Sequence, residues 1–156
     1  MSSYIKQIQS DLYYLCMFGC RIFCIAKAIG VDEEKLISMR HLLIERGAID
    51  SEYELLDIDL FIRMLIGENP YKIYSYVLDD DEIDDNNMIH LHDENIHIGT
   101  LVGILKKYST STSKDYKYHW VLQYNDNTEY NTVTNCTAMK EGRIDKKSVL
   151  LIYKNN

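Results

Sequence analysis

Apolar residues recur at intervals of three and four up to about residue 70 and alternate with polar ones beyond it, the periods of helix and strand respectively. Ile5, Ile8 and Leu12 predict a short amphipathic helix over residues 2–14. After Gly19, residues 20–29 (Cys-Arg-Ile-Phe-Cys-Ile-Ala-Lys-Ala-Ile) are almost wholly apolar with two small alanines, the composition of a helix buried on most sides, and Gly30 can close it. Asp32 then opens a helix over residues 33–45 whose stripe is Leu36, Met39, Leu42 and Leu43, with acidic residues in its first turn and Gly47 past its last. Ser51 is placed to cap a further helix through Leu56, Ile58, Leu60, Phe61 and Leu65, ending at Gly67 and Pro70.

Beyond Pro70 the pattern predicts strands over residues 71–78, 88–92, 118–124, 129–135 and 148–153. Residues 98–105 fit neither period well, because Gly99 and Gly103 weaken a helix while the run is long for a strand. Asn125-Asp126-Asn127 joins two runs rich in Tyr, Val and Thr, a hairpin signature. Helices first and antiparallel strands second make the expected class α+β, one domain over residues 1–156 with a helical part to about 70 and a sheet part after it.

Composition narrows the function classes. The 156 residues are 46% hydrophobic and 26% charged, an ordinary folded globule. The net charge of −7 gives no pull toward nucleic acid or anionic lipid, so neither is expected as a partner. No apolar run approaches the ~20 residues that span a bilayer, and the N-terminus is too polar for a secretion signal, so a cytoplasmic location is expected. Cys16, Cys20 and Cys24 are four apart, which stacks them on one helix face as buried thiols rather than as a disulfide framework.

Three residues combine into a chemistry. Cys20 follows Gly19 at the start of a buried helix, where the helix dipole and unpaired N–H groups favour a thiolate. A histidine that shuttles the proton and a third group that orients its ring complete a nucleophilic site. His119 begins one strand of the predicted hairpin and Asn135 ends the other, so antiparallel pairing brings the two ends together.

Gly19-Cys20 at the head of a central helix, followed by Cys24, Ala26 and Ala28, and His119-Trp120-Val121-Leu122 as a histidine leading an apolar strand, resemble the papain-like cysteine peptidases. The likeness is to the small bacterial and phage branch related to the double-glycine peptidases, and Asn135 in Val133-Thr134-Asn135-Cys136 is similar in context to that family's orienting residue. The helix end at Glu45-Arg46-Gly47-Ala48-Ile49-Asp50 is similar as well. The resemblance implies a buried central helix packed on an antiparallel sheet and a thiol hydrolase of peptide or related amide bonds, with no cofactor and a peptide or protein substrate. Cys20 would attack, His119 act as base and then acid, and Asn135 orient His119. One departure matters. The family's oxyanion glutamine, about six residues before the nucleophile, is replaced here by Tyr14, whose hydroxyl can donate one hydrogen bond, and Gln9 is the other candidate. The alternative function is therefore a non-catalytic relative, such as a phage or mobile-element accessory protein that binds a partner protein.

Each residue also has an ordinary role: Cys20 as a small core side chain, His119 as a half-buried strand residue, Asn135 as a turn residue. Cys16 competes as nucleophile but lacks the preceding glycine. His90, His92 and His97 cluster without the partners of a zinc site, and the acidic run over residues 79–87 lacks the glycine and closing glutamate of a calcium loop, so no metal is expected.

Overall fold

The computed structural model describes residues 19–92, 99–109, 118–132 and 142–156. The fold is α+β, with three helices and a six-stranded antiparallel sheet among the described residues. The chain forms two compact units, Met1–Asn69 and Pro70–Asn156, dividing where the hydrophobic period changes.

The first unit holds helices α1 (Cys20–Ala28), α2 (Glu33–Glu45) and α3 (Ile58–Ile66), with α1 packed on α2 and α2 on α3. Its core is Ile22, Phe23, Cys24, Ile25 and Ala26 of α1, Leu36 and Leu43 of α2, and Phe61, Ile62 and Leu65 of α3. Helices α1 and α2 end alike. Gly30 and Gly47 take φ of 84° and 80°, and the following residues donate back, Val31 N to Ala26 O at 2.8 Å and Ala48 N to Leu43 O at 2.9 Å. This is the Schellman arrangement, which needs a residue without a Cβ at the left-handed position.

The third helix starts later than its sequence pattern implies. Ser51 caps nothing; Asp57 does, accepting from Leu60 N at 3.0 Å. Upstream, Asp50 Oδ1 accepts from the backbone N–H groups of Glu52 at 2.8 Å and Glu54 at 3.0 Å, and Ile49 bridges to Leu55. A short carboxylate offers these N–H groups an alternative to helix, so residues 50–55 form a turn.

In the second unit, strands β1 (Tyr71–Tyr76), β2 (Thr100–Ser109), β3 (Tyr118–Gln123), β4 (Glu129–Tyr130) and β6 (Val149–Lys154) lie in the order β1-β6-β2-β3-β4, all pairs antiparallel. The short β5 (Arg143–Ile144) takes over from β6 beside the end of β2. The ambiguous glycine-bearing run thus belongs to the central strand β2, with a register shift between Leu101 and Gly103. The run 88–92 forms no named strand; Ile89 makes a single bridge to Ile83.

Register assigns the faces. Tyr74, Leu151, Ile104 and Gln123 line up across one face, joined there by Tyr108 with His119 and Lys106 with Val121. Leu78, Ile89 and, partly buried, Ile83 and Leu91 pack on that face, completing a core of Ile104, Tyr108, Val121, Ile144, Val149, Leu151 and Tyr153. The other face carries Leu105, Leu122 and Ile152, all fully buried and each worth ~1.5–3 kcal/mol of hydrophobic burial. Among the described residues no helix is long and apolar enough to cross a membrane.

Candidate functional site

Cys20 is the first residue of α1, after an N-cap glycine that contributes no side-chain hydrogen bond. Its thiol is in no disulfide and is 6% exposed. His119 lies in β3 of the second unit, opposite Tyr108, and is 2% exposed. Tyr14, Gln9, Cys16, Asn135 and His97 fall outside the described residues, as does the helix expected over residues 2–14.

The structure brings to His119 a residue that the sequence reading passed over. Nε2 of His119 lies 2.5 Å from Oδ1 of Asn131, just past the end of β4. The hairpin explains the contact. Leu122 pairs with Tyr130 and Gln123 with Glu129, so continuing that register puts position 131 opposite Val121, on the same face as His119 and diagonal to it. An amide oxygen can only accept, so Nε2 carries the proton and donates to Asn131. Nδ1 is then the ring's basic lone pair. Burial, the larger influence, and the hydrogen bond donated to Asn131, which opposes it, together leave the His119 pKa below its ordinary value. The imidazole is therefore held neutral in one tautomer at neutral pH, the state required of a base that accepts at Nδ1.

Polar groups extend along this face. Lys106, fully buried, places Nζ 3.0 Å from Glu129 Oε2, 2.6 Å from Asn87 O and 3.3 Å from Gln123 Oε1. Desolvation lowers its pKa against the opposing pull of Glu129. Gln123 in turn accepts from Ile89 N and donates to Ile89 O, both at 2.8 Å, so its amide serves as a strand partner for residue 89. Tyr108, opposite His119, is pushed up to about 12 by burial and then by the Glu129 charge, and stays protonated.

Of the histidines considered for zinc, the two among the described residues are otherwise engaged. His90 Nε2 is 2.8 Å from Asp84 and His92 Nε2 is 2.9 Å from Asp81. Glu82, buried inside the acidic run, accepts from Asp79 N at 2.9 Å, His92 N at 3.0 Å and Tyr76 Oη at 2.9 Å. Among the described residues no group of three or more His, Cys, Asp or Glu is arranged to hold a metal ion.

Compared with protein-family models, curated proteins and solved structures, the chain has no match. Its chemistry has to be argued from its own residues.

Proposed function

We propose that the chain is a papain-like thiol hydrolase of a peptide or related amide bond, with Cys20 as nucleophile, His119 as base and then acid, and Asn131 holding the ring. The observation that carries this reading is the His119 Nε2 to Asn131 Oδ1 contact at 2.5 Å, which leaves Nδ1 to take the thiol proton. Cys20 at the first position of α1 supports it, because the helix dipole stabilises a thiolate there. During acylation the sulfur would attack the carbonyl carbon while the imidazolium returns its proton to the leaving amine; water would then release the acyl group by the reverse proton route.

The test is the pH dependence of Cys20 alkylation by iodoacetamide, read residue by residue by mass spectrometry. A paired thiolate reacts near neutral pH, and His119→Ala should move its reactivity toward that of an ordinary thiol near ~8.5. A wild-type profile already centred there and unchanged by His119→Ala would reject the pair. A second reading, a non-catalytic relative that binds a partner protein, is favoured by the low exposure of both groups, 6% for Cys20 and 2% for His119. Selective alkylation with no hydrolysis across a broad amide panel would select it.

A further inference from the structure

We propose that the ion pair between buried Lys106 and partly exposed Glu129 is a positioning device for His119: by tying β4 to β2 across β3, it sets where Asn131 stands and hence which ring nitrogen of His119 carries the proton. The proposal deepens the reading of His119 as the base and rests on it.

Three observations converge. The described ladder between β3 and β4 is two residue pairs, Leu122 with Tyr130 and Gln123 with Glu129, and Asn131 follows directly. So short a ladder gives Asn131 little backbone support, and a displacement of about 1 Å would carry its Oδ1 beyond hydrogen-bonding distance of His119 Nε2. Second, the tie reaches this end of the hairpin: Glu129 is two residues before Asn131 on the same face, and its carboxylate meets an ammonium rooted two strands away on β2. Because Lys106 also donates to Asn87 O and Gln123 Oε1, its ammonium is itself fixed from three directions and can serve as an anchor. Third, the Lys106 side chain is fully buried while that of Glu129 is 32% exposed, so the cost of desolvating the ammonium is offset by Glu129 only in the arrangement that brings this carboxylate over it, and one placement of β4 is favoured over others. Lys106 stands opposite Val121, one position along the same face from His119, so the arrangement it selects is the one that holds the imidazole.

Long-range 1H–15N spectra of the full chain labelled with 15N report the tautomer of His119 directly. The wild type should show Nε2 protonated and Nδ1 bare. Asn131→Ala should lose that single tautomer to an averaged mixture. Lys106→Met combined with Glu129→Met, which removes both charges and keeps apolar volume, should give the same loss while the sheet amide resonances hold their positions. Glu129→Gln, which still offers Lys106 an oxygen, should retain the wild-type tautomer. A double variant that is folded and still purely Nε2-protonated overturns the proposal while leaving the His119–Asn131 site intact. If Asn131→Ala changes nothing, the site reading itself fails. If neither the double variant nor Lys106→Met folds, the pair is an element of folding and the positioning role is likewise overturned.

Discussion

Replacing Gln123 with leucine isolates the polar work of one buried side chain, because the two residues are of similar volume and the site is 2% exposed. In the native chain both polar atoms of the Gln123 amide bond to the backbone of Ile89 at 2.8 Å, and Oε1 also lies 3.3 Å from Lys106 Nζ. Leucine leaves the Ile89 N–H and C=O facing an apolar group and withdraws one oxygen from a buried ammonium. Leaving a buried backbone group unsatisfied costs ~1–3 kcal/mol, so two such groups, less the ~2 kcal/mol gained by burying leucine, give an expected loss of about 2 kcal/mol. Urea unfolding should show a lower midpoint at unchanged slope. Hydrogen exchange at the Ile89 amide should accelerate by about 30-fold, the same free energy read locally. A loss under ~1 kcal/mol with Ile89 protection unchanged would refute the claim that a side-chain amide replaces a strand here.

Other perturbations probe separate links. Asp57→Ala should cost ~1 kcal/mol in thermal unfolding and Ser51→Ala almost nothing, because only Asp57 caps α3; equal costs would put the helix start elsewhere. In Glu82, burial raises the pKa but hydrogen bonds from Asp79 N, His92 N and Tyr76 outweigh it, so the folded value is depressed. Its contribution is present above the unfolded value of ~4.3 and lost as pH falls through the folded value, so Glu82→Gln should be less stable at neutral pH and show a shallower acid transition. His119 has the opposite chemistry with the same slope. Its folded pKa is depressed, so between ~6.5 and that value the unfolded chain binds a proton the native one lacks, and stability falls as pH falls. Subtracting the pH-stability curve of His119→Gln should remove that component, and superimposable curves would show that His119 is not held neutral.

The helices were legible where caps and stripes agreed, as at Asp32 and Gly47 bracketing α2. Residues 50–55 were not, because the side chain of Asp50 competes for backbone N–H groups and hydrophobic spacing does not register that competition. In β2, a central strand buried on both faces, alternation disappears, so Lys106 and Lys107 read alike although Lys106 is fully buried and Lys107 is not. Asn131 was within reach of the sequence. Once the turn is centred on residues 125–127, same-face arithmetic across the hairpin offers His119 a diagonal partner at 131 as well as at 135, and the later one was favoured by pairing the two strand ends and by the family likeness. No local pattern encodes the Gln123 contact to Ile89, because its partners are 34 residues apart and the bond is a product of tertiary packing.

Lys106, Gln123 and His119 form a row of buried polar side chains on one face of two adjacent strands, at positions where Leu or Val would bury more apolar surface. Each has a partner outside those two strands: Glu129 for Lys106, Ile89 for Gln123, Asn131 for His119. The row therefore joins the sheet centre to the segment over residues 87–89 on one side and to the start of the chain beyond β4 on the other. Fully satisfied networks of this kind specify one arrangement, since any slip leaves a buried group without its partner. Gln123 and Asn131 carry amides that do not titrate, whereas an imidazole is the side chain whose protonation changes in the physiological range. Holding the His119 ring through the Asn131 amide keeps it in place while its proton comes and goes, which is what the proposed role of general base requires.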